Sequence, residues 1–339
     1  MIPENLLLGN ERLREYILSL SEKRRFPGSM IIAGPEGSGR HTAGRIIAMS
    51  LCCTDKSDRP CFRCLFCRKI LEGISPDVIF VGPKKGVRSI GVDDVRQLRT
   101  DAFVAPTECD AKVYILENAE RMTASAQNAM LKIFEEPPEG VYFILLCDSA
   151  SSLLPTIRSR APELNTEVFG DEALTAHLRT VSPGFSEIEK NDPAAAAAIV
   201  RQSGGTIGRA LGLISGKGAE RNENISLVVR ALSEKKPADL LVSLKAACGS
   251  GRDETADALR ALMNALRDVA ASKRGGKEVG TLFYPDADEA RSDGSRMTVR
   301  SALRYYERVL GTVLLIDWGA VNVSTSLTSL VADLRALMS

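Results

Sequence analysis

Four short apolar runs, at residues 29–33, 78–81, 112–116 and 142–146, alternate with helical patterns along the first half of the chain. Each has the length and the β-branched or aromatic content of a buried strand. The stretches between them are long enough to hold crossover helices. The pattern therefore predicts a largely parallel sheet with helices on both faces. Between the third and fourth runs, Ala126, Ala129, Met130, Ile133 and Phe134 recur at helical spacing, with Thr123 as the N-cap and Pro137-Pro138 as the stop. Past about residue 170 the β-type runs vanish. The segments 194–201, 206–213, 225–232, 238–247, 255–271, 298–318 and 324–338 read as amphipathic helices. The polar, Gly-rich stretch 272–295 reads as a surface loop.

At 339 residues, with 44% hydrophobic and 26% charged side chains, the chain can bury two or three separate cores. No run of eighteen apolar residues occurs, and residues 1–8 carry Glu4 and no basic region, unlike a secretion signal. A cytoplasmic chain without membrane contact is the expectation. The formal net charge of +1 excludes a protein that grips nucleic acid by charge alone. Any DNA contact is local or shared with partner subunits.

The loop Gly34-Pro35-Glu36-Gly37-Ser38-Gly39-Arg40-His41-Thr42 follows the first strand and opens a helix, the setting of a phosphate-binding Walker A loop. In a working loop a lysine reaches the β and γ oxygens and a hydroxyl residue holds magnesium. Here Arg40 stands in place of the lysine and His41 in place of the hydroxyl. A planar guanidinium does not mimic a compact ammonium, and imidazole is a poor magnesium ligand beside an oxygen donor. The third strand should end in an Asp-Glu pair that positions magnesium and activates water, yet it ends in Glu117-Asn118. Glu117 is able to approach a metal; Asn118 cannot act as a base. Two readings stay open: a glycine turn kept only to join strand to helix, or weak ATP binding without hydrolysis.

Eight cysteines in a cytosolic chain do not suggest disulfides, and five of them crowd between Cys52 and Cys67. Cys61, Cys64 and Cys67 stand at two-residue gaps, and Cys52 or Cys53 supplies a fourth thiol. Four thiolates suit a closed, structural zinc site of about residues 52–67. An iron-sulfur cluster is the alternative ligand and buried free thiols the plainer reading. The spacing does not choose between Cys52 and Cys53. After the fourth strand, Leu154-Pro155-Thr156-Ile157-Arg158-Ser159-Arg160 sets two arginines at the edge of the sheet domain. Arg160 is the candidate for an arginine presented to a nucleotide held by another subunit; the alternative is a solvated ion pair.

Together with these motifs, Ser75-Pro76-Asp77, Ile90 to Arg96, Lys112 to Leu116 and Gln127 to Pro138 resemble the bacterial DNA polymerase III clamp-loader subunits of delta-prime and gamma/tau type, over about residues 5 to 215. The resemblance implies a RecA-like α/β AAA-plus domain over 1–165 with an inserted zinc knuckle. An all-α lid over 166–217 and an all-α collar over 218–339 would follow. The family's eight-residue gap between its first two zinc ligands is matched by Cys52 and Cys61, which favours Cys52. Gamma/tau keeps its Walker lysine, hydroxyl residue and Asp-Glu pair, whereas delta-prime often loses them, and on that ground the chain resembles delta-prime.

The resemblance also implies partners: gamma/tau and delta subunits, the sliding clamp, and primer-template DNA through the assembled complex. Arg160, in the family's Ser-Arg-Cys position with Ala161 replacing the cysteine, would act in trans on ATP of an adjacent gamma subunit. Cys147 stands where a sensor threonine is usual. Arg209, within 206–211, resembles the second sensor arginine, and Ala320-Val321-Asn322-Val323 the start of the family's terminal helix. Polymerase activity has no residues here. The expected function is loading the sliding clamp as a delta-prime-type subunit without ATP hydrolysis of its own. The alternatives are an ATP-hydrolysing gamma/tau-like subunit, an independent AAA-plus ATPase, or a zinc-stabilised scaffold unrelated to replication.

Overall fold

The computed structural model describes residues 2–338 apart from 4–5, 56, 84–86, 88, 250, 276–279 and 319–321. The chain divides into two compact units. The first comprises Met1–Phe169 with Thr206–Gly208, the second Gly170–Gly205 with Arg209–Ser339.

In the first unit, α1 (Glu11–Lys23) leads into β1 (Ser29–Ala33) and α2 (Arg40–Cys52). Then come α3 (Leu65–Glu72), β2 (Val78–Val81), α4 (Val92–Asp101) and β3 (Lys112–Leu116). The last part holds α5 (Ala124–Glu135), β4 (Val141–Cys147), the single-turn α6 (Pro155–Arg158) and β5 (Glu163–Asn165). The strands form one parallel sheet in the order β2-β3-β4-β1-β5. Four of the five strands match the apolar runs of the sequence. The fifth, β5, has only three residues and no buried one, so it lacks the apolar signal by which strands are recognised.

Alternation within the strands divides the core. Met30, Ile32, Val113, Ile115, Ile144 and Leu146 pack on one face, with Ile46 and Ile47 of α2 and Ile17 of α1. Ile31, Tyr114, Leu116, Phe143 and Leu145 pack on the other, with Met130 and Phe134 of α5. This period-two division, apolar on both faces, is what a parallel sheet covered by helices requires. Tyr114 and Phe143 stack across β3 and β4 with ring centroids 5.2 Å apart, a geometry that contributes about 0.5–1.5 kcal/mol beyond area burial. Thr123 caps α5 as the sequence predicts, its side chain accepting from the Ala126 N–H at 3.1 Å.

Because the strands are parallel, β1, β3 and β4 all end at one edge. The register pairs Ala33 with Cys147 and Leu116 with Leu145. The glycine loop after β1, the Glu117-Asn118 pair after β3 and Asp148 after β4 are therefore neighbours. This is the edge at which open α/β sheets bind ligands.

The second unit is helical: α7 (Asp171–Val181), α8 (Pro183–Asn191), α9 (Pro193–Gln202) and most of α10 (Ile207–Ile214). It continues through α11 (Gly216–Glu234), α12 (Pro237–Cys248), α13 (Arg252–Gly275), α14 (Ala287–Asp293), α15 (Val299–Trp318) and α16 (Val323–Met338). Val228, Leu240, Leu262, Leu266, Val309 and Leu334 belong to a core drawn from α11 to α16.

Of the stretch 272–295, residues 276–279 lie outside the described residues, and the described part is not the surface loop expected from its composition. It contains the end of α13 and all of α14, and it buries Phe283 and Tyr284. The fully buried Asp268 accepts the N–H groups of Leu282, Phe283 and Tyr284 at 2.8, 2.6 and 3.2 Å. Arg201 of α9 donates to the carbonyls of Thr281 and Pro285 at 2.8 and 3.0 Å. Two aromatic anchors and a buried carboxylate thus outweigh the polar composition around them. Of the segment expected to open the terminal helix, Ala320 and Val321 lie outside the described residues, and α16 begins at Val323.

Candidate functional site

The glycine loop keeps its frame. Gly37 and Gly39 have φ of +79° and +101°, the left-handed region that costs glycine least. At Gly34 a Cβ would stand 1.7 Å from Thr166 Oγ1. Thr166 lies just past β5, and its hydroxyl donates to the Ala33 carbonyl at 3.3 Å and pairs with Ser38 Oγ at 2.6 Å. The buried Asn10 donates to the Ser38 carbonyl at 3.2 Å and accepts the Glu167 N–H at 2.7 Å. Gly208 donates to the Gly37 carbonyl at 2.9 Å. Neither Asn10 nor Thr166 carries a motif, and only their position marks them.

Arg40, the first residue of α2, is buried. Its Nη1 donates to the Gly34 carbonyl at 2.7 Å and to the Asp148 carboxylate, and its Nη2 to Asn118 Oδ1 at 3.2 Å. Asn118 turns toward it from a left-handed backbone with φ +53°, a region asparagine enters more readily than most residues. Beside it, His41 Nδ1 meets Glu117 Oε1 at 3.1 Å. The His41 hydrogen bond, reinforced by the charges of Arg45 and Arg40, outweighs burial and holds the Glu117 carboxyl below the ordinary glutamate value. Thr42 is partly exposed in the first turn of α2.

The structure thus brings Gly34, Gly37, Gly39, Arg40, His41 and Glu117 together. The two altered residues of the loop bond to the two altered residues after β3. Arg40 takes up acceptors of the protein itself rather than extending as a free cation. Burial, with the charge of Asp148 nearby, raises Glu120 above its ordinary value, and burial pushes the Cys147 thiol up to about 12. Arg209 lies on α10 and belongs to the second unit.

Arg160 follows α6. Its Nε donates to Glu135 Oε2 at 2.8 Å and its Nη1 to the Thr156 carbonyl at 2.8 Å. Arg158 instead reaches Glu163 Oε2 at 3.5 Å. The backbone before them is tied to α5, because Gln127 Oε1 accepts the Leu154 N–H at 2.8 Å. Asp77 of the Ser-Pro-Asp run is a strap. Its buried carboxylate accepts the N–H groups of Thr107, Glu108 and Cys109 at 2.5, 2.7 and 2.8 Å.

Four sulfurs, those of Cys53, Cys61, Cys64 and Cys67, all lie within 4.8 Å of one another. Sulfurs of a tetrahedral zinc shell with bonds of about 2.3 Å sit about 3.8 Å apart, so a small contraction would close this set on a metal. The fourth thiol is Cys53, not Cys52. Cys52 is the last residue of α2, and its Sγ faces the core 3.7 Å from the Ala111 carbonyl. Cys53 leaves the helix extended, with φ −67° and ψ 131°, and turns to the other three. The family gap counts residues along the chain; the end of α2 decides which side chain faces the knuckle.

The N–H of Cys64 donates to Cys61 Sγ at 3.3 Å and that of Cys67 to Cys64 Sγ at 3.4 Å. Burial works to raise Cys64, but hydrogen bonds from Cys67 and Thr54 outweigh it and bring the thiol down to about 6. Burial pushes Cys53 and Cys67 up.

Residues 9–169 match the family model described as DNA polymerase III, delta subunit. The gamma/tau subunit of DNA polymerase III from Mycobacterium bovis is 30% identical over 201 residues, covering 59% of this chain and 34% of that protein. The delta-prime subunit from Yersinia pestis is 44% identical over 110 residues, covering 32% of each chain. The crystal structure of a DNA polymerase III gamma subunit-related protein from Thermotoga maritima aligns at 21% identity, with TM-score 0.42, over 95% of this chain and 99% of that one. The chain spans about a third of the length of the two polymerase subunits it matches. On its parallel sheet, its glycine loop and the sequence matches to the family model and the two polymerase subunits, the part of the chain over residues 9–169 is similar to the clamp-loader subunits of DNA polymerase III.

Proposed function

We propose that this chain is a delta-prime-type subunit of a DNA polymerase III clamp loader. In this reading it helps load the sliding clamp onto primed DNA and hydrolyses no ATP itself. The observation that carries the reading is the state of Arg40: its guanidinium is committed to Gly34, Asp148 and Asn118. A site that turns its one loop cation inward, and pairs His41 with Glu117, lacks both a free cation for the γ-phosphate and a hydroxyl for magnesium.

Arg160 acts in trans on ATP held by an adjacent gamma-type subunit, and gamma/tau, delta, the clamp and primer-template DNA are the partners. Cys53, Cys61, Cys64 and Cys67 hold a structural zinc ion, with no coordination position left for substrate. The first unit serves as the AAA-plus domain, α7 to α10 as the lid and α11 to α16 as the ring-forming collar. The separate core drawn from α11 to α16 supports that last division. The chain works in the cytoplasm.

Two measurements on the purified chain test this. Magnesium-dependent phosphate release from ATP should be absent; measurable turnover would overturn the reading in favour of a gamma/tau-like ATPase. In a complex reconstituted with gamma/tau-type and delta-type subunits, Arg160→Ala should leave assembly intact and lower ATP turnover by a factor of about 10³ or more.

A further inference from the structure

We infer that Glu135 is a positioning residue for Arg160. The inference rests on the reading of Arg160 as the arginine offered to a neighbour's nucleotide. The guanidinium is held from two sides: Glu135 Oε2 takes the Nε–H at 2.8 Å, and the Thr156 carbonyl takes an Nη1–H at 2.8 Å. Ser159 Oγ lies 3.4 Å from the same Nη1. Among the described residues nothing accepts from Nη2, so both of its N–H donors are left for an incoming anion. Arg158, two residues earlier, spends its own Nη2 on Glu163.

The pair does little for stability. The side chains of Arg160 and Glu135 are 31% and 55% exposed, and exposed pairs contribute little. Its effect is geometric. Arginine loses much of its rotamer freedom when fixed, and here that loss is met within the subunit before any phosphate arrives. Glu135 is well placed for this because it is the last residue of α5, a helix stopped by Pro137 and packed in the core through Met130, Ile133 and Phe134. Gln127 of the same helix holds the Leu154 N–H. One rigid element thus fixes both the backbone that carries Arg160 and the direction of its side chain.

The test uses the complex reconstituted from this chain with gamma/tau-type and delta-type subunits, with ATP turnover measured for Arg160→Ala, Glu135→Ala, Glu135→Gln, Glu135→Lys and the Arg160→Ala/Glu135→Ala double variant. Glu135→Ala should lower kcat by roughly tenfold to a hundredfold, the size of a misplaced catalytic contact. The KM for ATP, the melting temperature and complex assembly should not change. Glu135→Gln, which keeps a carbonyl acceptor at the same reach, should restore most of kcat. Glu135→Lys, which repels the guanidinium, should approach Arg160→Ala. The double variant should be no slower than Arg160→Ala alone.

If Arg160→Ala has no effect, the trans-arginine reading itself fails. If Arg160→Ala is slow while Glu135→Ala and Glu135→Lys run at or above the wild-type rate, only the positioning role fails. Independent, multiplicative losses in the double variant would also overturn it.

Discussion

Arg40 and Asn118 are joined at 3.2 Å, Nη2 to Oδ1, across the edge where β1 and β3 end. The residue in the position of the Walker lysine and the residue in the position of the catalytic acid are partners of each other. Arg40→Ala should destabilise the first unit by about 1.5–3 kcal/mol, the value of charged hydrogen bonds in a buried site. Asp148 is exposed enough to rehydrate. Chemical denaturation checks this, and an unchanged unfolding midpoint would show that the loop stands without the arginine.

Restoring the loop alone should not restore hydrolysis. Arg40→Lys with His41→Thr returns the cation and the hydroxyl, and ATP affinity measured by titration calorimetry should rise. Turnover should stay absent until Asn118→Glu supplies a base, because amides do not accept a proton from water at neutral pH. Hydrolysis by the double variant without that third change would refute this assignment of Asn118.

The thiol set separates two neighbouring residues. Cys53→Ser should reduce bound zinc well below one per chain and lower the melting temperature, whereas Cys52→Ser should keep the metal and cost only local packing. The reverse result would reinstate Cys52. Metal binding needs thiolates, and burial pushes Cys53 and Cys67 up, so zinc affinity should weaken as pH falls. Metal release followed with a chromogenic chelator reads this directly.

Asp77 should make the first unit acid-sensitive. Burial acts to raise its pKa, yet the N–H bonds from Thr107, Cys109 and Glu108 outweigh it and hold it below the ordinary aspartate value. A carboxylate lowered on folding stabilises the protein above its unfolded pKa, near 3.9. That contribution is lost as pH falls through the lower folded value. Asp77→Asn should cost about 1–3 kcal/mol at neutral pH, since an amide N–H would face backbone donors. It should also flatten the acid limb of the stability curve. A limb as steep as in the wild type would assign the acid sensitivity to other groups.

The chain alone determined four of its five strands, the capped helix α5, the altered phosphate loop and three of the four clustered thiols, because each is a local pattern of periodicity, spacing or turn chemistry. Tertiary structure decided the rest. Asp148 lies 108 residues from Arg40, and only the parallel register of β1, β3 and β4 brings them together. Asn10 and Thr166 brace the loop from opposite ends of the first unit. Phe283 and Tyr284 turn a polar stretch into part of the core because Asp268 and Arg201 meet its backbone. Cys53 rather than Cys52 faces the knuckle because the last turn of α2 points one inward and releases the other. Spacing along a chain counts residues; where side chains point depends on how the elements end and pack.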